Sequence, residues 1–230
     1  MVKLAKNAII DTVGVTLAGW NEPVVQKVKK VYMTELGSNA AASSLWGEQA
    51  KASCENAAII NGTASHALDF DDAAPGVVIH PSAPILAAVI PLAELMGNSG
   101  REVISAYAIG TEVMIRIGQI LGFKHYDLGW HATGTLGTIG AAAACCSLLK
   151  LNETEIAHAV AISASMAGGL LKNFGTNTKP LHVGLAASHA IQSTLLTKNG
   201  FTETLKCLES ADFFMHLAER PFQKLKWMKK

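Results

Sequence analysis

Thr133-Gly-Thr-Leu-Gly-Thr-Ile-Gly-Ala-Ala-Ala-Ala-Cys-Cys-Ser-Leu-Leu149 carries neither charge nor proline, and nearly every side chain in it is small. Alanine and leucine favour the helix, and this composition suits helices packed closely through small side chains. Gly134, Gly137 and Gly140 fit that reading, because they let another helix come close. A second reading of the same stretch is an anion pocket. His131 stands just before it, at a helix N-terminus whose free N–H groups attract negative charge. No Gly-Lys-Ser/Thr follows, which disfavours a phosphate loop.

The rest of the 230-residue chain has the same character, with 50% hydrophobic residues, 6% aromatic residues and few β-branched runs. An all-α fold is expected, as one helical domain over residues 1–230. Apolar spacing predicts helices over 2–19 and Val24 to Leu36, then a short extended link from Ala42 to Gly47. Further helices are predicted over Lys51 to Leu68, Ser82–Met96, Glu102–Leu121, Thr133–Leu149, Glu153–Met166 and Leu181–Lys198. Asn152 and Thr202 are expected N-caps. The stretch from Phe213 to Lys230 is amphipathic but basic at its end, with no closing turn.

Nineteen Lys and Arg against eighteen Asp and Glu leave a net charge of +1. That balance offers no electrostatic footprint for nucleic acid or an anionic membrane, and no apolar run reaches the length of about 18 residues that a membrane span requires. A small molecule is the expected partner, and the positive mean hydropathy of +0.27 points to an oligomer interface. Cys54, Cys145, Cys146 and Cys207 have no metal-ligand spacing and are read as reduced thiols. The first residues do not resemble a secretory signal, so a cytoplasmic location is expected.

Titratable groups concentrate in Asn61-Gly-Thr-Ala-Ser-His66-Ala-Leu-Asp69-Phe-Asp71-Asp72 and the following His80-Pro81. On a continuing helix His66, Asp69 and Asp72 share one face while Asp71 points largely elsewhere. Carboxylates at a helix C-terminus oppose its dipole, which favours chemistry over chance. Asp69 to Asp72 also matches a D-x-D-D proton-donor pattern, and His66, Asp69, Asp72 and His80 can be drawn as metal ligands. No second cluster downstream completes a coordination sphere, so no metal is expected. Lys179 precedes Pro180, which predicts an extended backbone that aims its ammonium at a fixed point. His182 and His189 read as core or interface histidines, and His125, His158 and His216 as structural ones.

Together these segments resemble the MmgE/PrpD family. The resemblance rests on Asp11-Thr-Val-Gly14-Val-Thr-Leu-Ala-Gly19, the Asn61 to Asp72 segment, His80-Pro-Ser-Ala-Pro, His131-Ala-Thr-Gly-Thr-Leu-Gly137 and Gly175-Thr-Asn-Thr-Lys179-Pro-Leu-His182-Val-Gly184. It implies a helical domain followed by an α+β lid, a homodimer, and lyase or isomerase chemistry on di- and tricarboxylates without a cofactor. Members dehydrate 2-methylcitrate, decarboxylate cis-aconitate or epimerise iminodisuccinate. Against that pattern this chain corresponds to the helical domain alone, truncated at both ends, so a separate lid domain or subunit is a possible partner.

Carried over by position, Asp69, His80 and His131 are the expected catalytic residues and Lys179 the expected substrate anchor. Lysine and histidine can hold carboxylates, leaving an imidazole or Asp69 to move a proton beside one. Ala73 and Ala74 depart from the family, which often has Thr and then His after the acidic motif. The alternative is a non-catalytic helical remnant or subunit that keeps fold and dimer interface but lacks activity without a lid.

Overall fold

The structure is a computed structural model, described here for residues 2–33, 43–204, 207 and 217–219. Helices α1 (Val2–Gly19) and α2 (Pro23–Tyr32) come first. Strands β1 (Ser43–Ser44) and β2 (Lys51–Ala52) pair antiparallel. Then come α3 (Cys54–Ser65), α4 (Ser82–Met96), α5 (Gly100–Leu121), α6 (Phe123–Asp127), α7 (Ala132–Leu148), α8 (Glu153–Met166), a 3-10 turn (Leu171–Asn173) and α9 (Thr178–Lys198). The fold is all-α, with one two-stranded sheet among the described residues.

Helix α7 is the axis of the domain. All of its residues except Ser147 are buried, as expected of a helix that is apolar all round. Helices α4, α5, α8 and α9 pack against it. Its glycines serve that packing. A Cβ on Gly140 would lie 2.9 Å from Gly110 O and one on Gly134 would lie 2.7 Å from Gly168 O. The same device joins α3 to α9, where a Cβ on Gly184 would fall 2.3 Å from Ile59 O. Small residues thus set the helix spacing, and an alanine-rich core follows.

The helix ends obey local chemistry. Ser99 with Glu102, and Asn152 with Glu155, form capping boxes ahead of α5 and α8. Thr202 is not the expected N-cap, because Glu203 and Thr204 after it are non-helical; most of the stretch from Phe213 to Lys230 lies outside the described residues, as does the end of the segment expected to run from Val24 to Leu36.

The link from Ala42 to Gly47 is extended in its described first part, as expected, with Ser43–Ser44 forming a strand. Two expectations are corrected. Lys51 belongs to the paired strand rather than to a helix. Ser53 caps α3 by accepting from Asn56 N–H, which starts the helix at Cys54. The segment between Gly122 and Gly129 contains the short helix α6. Buried Asn61 explains how the sheet is held: its Nδ2 donates to Ser44 O and its Oδ1 accepts from Trp46 N–H.

Candidate functional site

The acidic segment does not continue α3. The helix ends at Ser65, His66 is its C-cap, and Asp69 takes a left-handed backbone conformation with φ of 58°. That turn overturns the shared helical face of His66, Asp69 and Asp72. Asp71 folds inward instead, its side chain wholly buried, with both carboxylate oxygens 2.9 Å from His66 Nδ1. Asp72 has a structural task. It accepts from Ser82 N–H at 3.1 Å and from the Ser82 hydroxyl at 2.6 Å, capping α4 where Pro81 offers no capping side chain. Burial foremost pushes the Asp72 carboxyl pKa up, against the lowering effect of the Ser82 hydrogen bonds.

His80 is placed by its backbone N–H, which donates to Thr133 Oγ1 in the first turn of α7. His131 caps the same helix, and its own N–H donates to Gly169 O. Its ring stacks on His66 with centroids 5.6 Å apart and meets the edge of Phe174 at 4.9 Å. His131 Nδ1 lies 3.0 Å from His182 Nδ1, so one of these nitrogens donates and the other accepts. Burial foremost, with the electrostatic influence of His66, His182, Lys179 and His80 added to it, pushes the His131 pKa down to about 2. It is therefore a neutral imidazole near neutral pH.

Lys179 approaches from the far end of the chain. The expected extended conformation before Pro180 is not found: Thr178, Lys179 and Pro180 form the first turn of α9, where a proline's missing N–H costs no helical hydrogen bond. The ammonium donates to Asp69 Oδ1 at 2.5 Å and sits 4.9 Å from the Phe174 ring centroid. Partial burial raises the Asp69 pKa, but the hydrogen bond and charge of Lys179, helped by His66 and His80, bring it below the ordinary carboxylate value. Both His66 Nε2 and His80 Nε2 lie 3.8 Å from the same Asp69 oxygen.

A cavity of about 510 Å³ opens over this pair, lined by His66, Asp69, Phe174 and Lys179 and also by Glu22 and Asn177. His80 and His131 stand behind that lining, against Asp69 and His66 respectively. The structure thus brings together all four positions singled out from sequence. It adds His66, Asp71 and His182, of which only His66 was signalled, by its spacing from Asp69. The set of metal-capable donors also changes: His66, Asp69, Asp71 and His80 lie within 4.8 Å of one another, with Asp71 in place of Asp72. The Lys179 ammonium already supplies a cation to Asp69.

His125, His158 and His189 have structural partners, and His216 lies outside the described residues. His125 bridges Thr135 Oγ1 and Leu217 O, His189 Nδ1 lies 3.0 Å from Met166 O, and His158 accepts from Glu203 N–H. Cys54, Cys145 and Cys146 are buried free thiols. No described helix is long and apolar enough to cross a membrane.

Comparison with known proteins gives the family. The chain is 31% identical over 223 residues to cis-aconitate decarboxylase of Mus musculus, covering 93% of this chain and 44% of that protein. It is equally similar, at 31% over 221 residues, to the Homo sapiens cis-aconitate decarboxylase, covering 91% of this chain and 44% of the relative. An Aspergillus terreus cis-aconitate decarboxylase is 26% identical over 216 residues. The chain therefore spans less than half the length of the curated relatives it matches. Residues 1–224 match the model of the MmgE/PrpD N-terminal domain, and the chain belongs to the MmgE/PrpD family.

Proposed function

We propose that this domain binds a small di- or tricarboxylate over Asp69 and Lys179 and supplies the proton-transferring groups of a cofactor-independent lyase or isomerase reaction beside a carboxylate. The observation that carries this is the Lys179 ammonium, fixed on Asp69 at the edge of a cavity that His66 lines, with His80 behind. A charge-assisted hydrogen bond from Lys179 would hold one substrate carboxylate. Neutral His131, or else His80 or Asp69, would then accept the proton α to that carboxylate. The electron pair left on carbon passes into that carboxylate as an enolate-like charge, which Lys179 stabilises. Its return expels hydroxide, giving dehydration, or recaptures a proton, giving epimerisation; loss of carbon dioxide from a carboxylate, with protonation of the carbon left behind, gives decarboxylation.

Proton abstraction can be followed without a completed reaction, by NMR of the exchange of α-hydrogens for deuterium in D2O. Citrate, 2-methylcitrate and iminodisuccinate are the probes, with cis-aconitate tested for release of carbon dioxide. Wild-type protein that neither binds nor turns over any of the four would refute the reading. Because the chain spans 44% of the length of its relatives, a second reading is that this domain binds the ligand while turnover needs a lid domain or subunit. Binding without exchange would favour it. A homodimer belongs to the same proposal, supported by the exposed apolar side chains Leu4 and Ile10 on α1; analytical ultracentrifugation checks it.

A further inference from the structure

Asp71 touches two imidazoles at the same kind of atom. Its carboxylate lies 2.9 Å from His66 Nδ1 and 3.5 Å from His80 Nδ1, and its backbone carbonyl lies 3.3 Å from His80 Nδ1. A neutral imidazole has one N–H and one lone pair, so the partner of one nitrogen decides the role of the other. An ionised carboxylate and a carbonyl accept and do not donate. Each Nδ1 must then carry the hydrogen, which leaves the lone pair on Nε2.

The geometry brings those two Nε2 atoms to one place. His66 Nε2 and His80 Nε2 each lie 3.8 Å from Asp69 Oδ1, on the side where Lys179 approaches. His66 Nε2 is buried and has no hydrogen-bond partner, which costs a buried polar atom stability. His66 itself lines the cavity. An acceptor kept at that cost beside a cavity is suited to receive a donor from a ligand.

We infer that Asp71 is a positioning residue that holds both His66 and His80 as the Nδ1–H tautomer, so that their two Nε2 lone pairs converge beside Asp69 as proton acceptors. The inference deepens the proposed function and rests on it only for the use made of those acceptors. It also explains why Asp71, and not Asp72, is turned into the protein: one carboxylate orients two rings from behind.

The test is nitrogen-15 NMR of histidine-labelled full chain without ligand, with His66→Gln and His80→Gln used to assign the rings. Both rings are expected to show a protonated Nδ1 and an unprotonated Nε2. Wild-type protein with hydrogen on Nε2 of either ring overturns the inference with no need of a variant at Asp71. Asp71→Asn replaces one acceptor oxygen by a donor, so at least one ring is expected to turn over to the Nε2–H form. If folded D71N keeps both rings as Nδ1–H, Asp71 is not what orients them. The spectra need no substrate: wild-type protein that shows the expected tautomers but binds no polycarboxylate would sink the proposed function and leave this assignment standing.

Discussion

Replacing Lys179 with Met tests the site most directly, because methionine keeps much of the apolar stem and removes only the charge. The ammonium is largely enclosed, with the side chain 13% exposed, and donates at 2.5 Å to Asp69. A hydrogen bond to a charged group contributes about 1.5–3 kcal/mol. In K179M the ligand loses that contact and also meets an Asp69 carboxylate whose neutralising partner is gone, so the upper half of the range applies. About 2–3 kcal/mol corresponds to roughly 30- to 150-fold weaker binding at a factor of ten per 1.4 kcal/mol. Isothermal titration of citrate or cis-aconitate into wild type and variant reads this ratio. Lys179→Arg keeps the charge but not the compact ammonium and is expected to fall between the two. A loss smaller than threefold in folded K179M would refute the reasoning that Lys179 anchors a carboxylate.

Asp69→Asn removes a negative charge facing the ligand, so it is expected to bind citrate at least as tightly as wild type while slowing α-hydrogen exchange; weakened binding with unchanged exchange would contradict that split. Asp72→Ala strips the cap of α4 and should lower stability by about 1–2 kcal/mol, measured by urea denaturation, with citrate affinity unchanged. Gly184→Ala drives a methyl against Ile59 O and Thr63 Oγ1 at the crossing of α3 and α9. Overpacking of roughly 1–3 kcal/mol should lower Tm by several degrees despite alanine's better helix propensity, and an unchanged Tm would show that the helices can part freely. His125, His131, His182 and His189 are all held below the ordinary histidine value of 6.5, chiefly by burial. Depressed histidines leave stability intact above pH 6.5 and remove it as pH falls below, since only the unfolded chain takes up protons there. The urea midpoint should therefore drop between pH 7.5 and 5.5, and His131→Gln should flatten the drop; a midpoint constant over that interval would exclude it.

Much of the fold was legible because its signals are local. Ser82 opens α4 and Asn152 caps α8, as read from sequence, since proline and capping side chains act on the residues beside them. The glycines of α7 were open to two readings, an anion pocket or close packing, and only the neighbouring backbone at Gly110 and Gly168 shows how tightly they are used for packing. Helix α6 and the strand pair escaped notice because five-residue and two-residue elements carry too few periods to register.

The site divides the same way. Sequence by itself determined an all-helical chain with small-residue packing, and the resemblance singled out Asp69, His80, His131 and Lys179. Tertiary structure alone decided what each of them touches. Lys179 meets Asp69 across 110 residues and His131 meets His182 across 51, separations over which no spacing rule operates. The exchange of Asp71 for Asp72 has the same origin. Helical spacing assigns faces only while the helix lasts, and α3 stops at Ser65. Beyond that point the buried His66 ring and the N-terminus of α4 compete for carboxylates, and distance in space settles which carboxylate each receives.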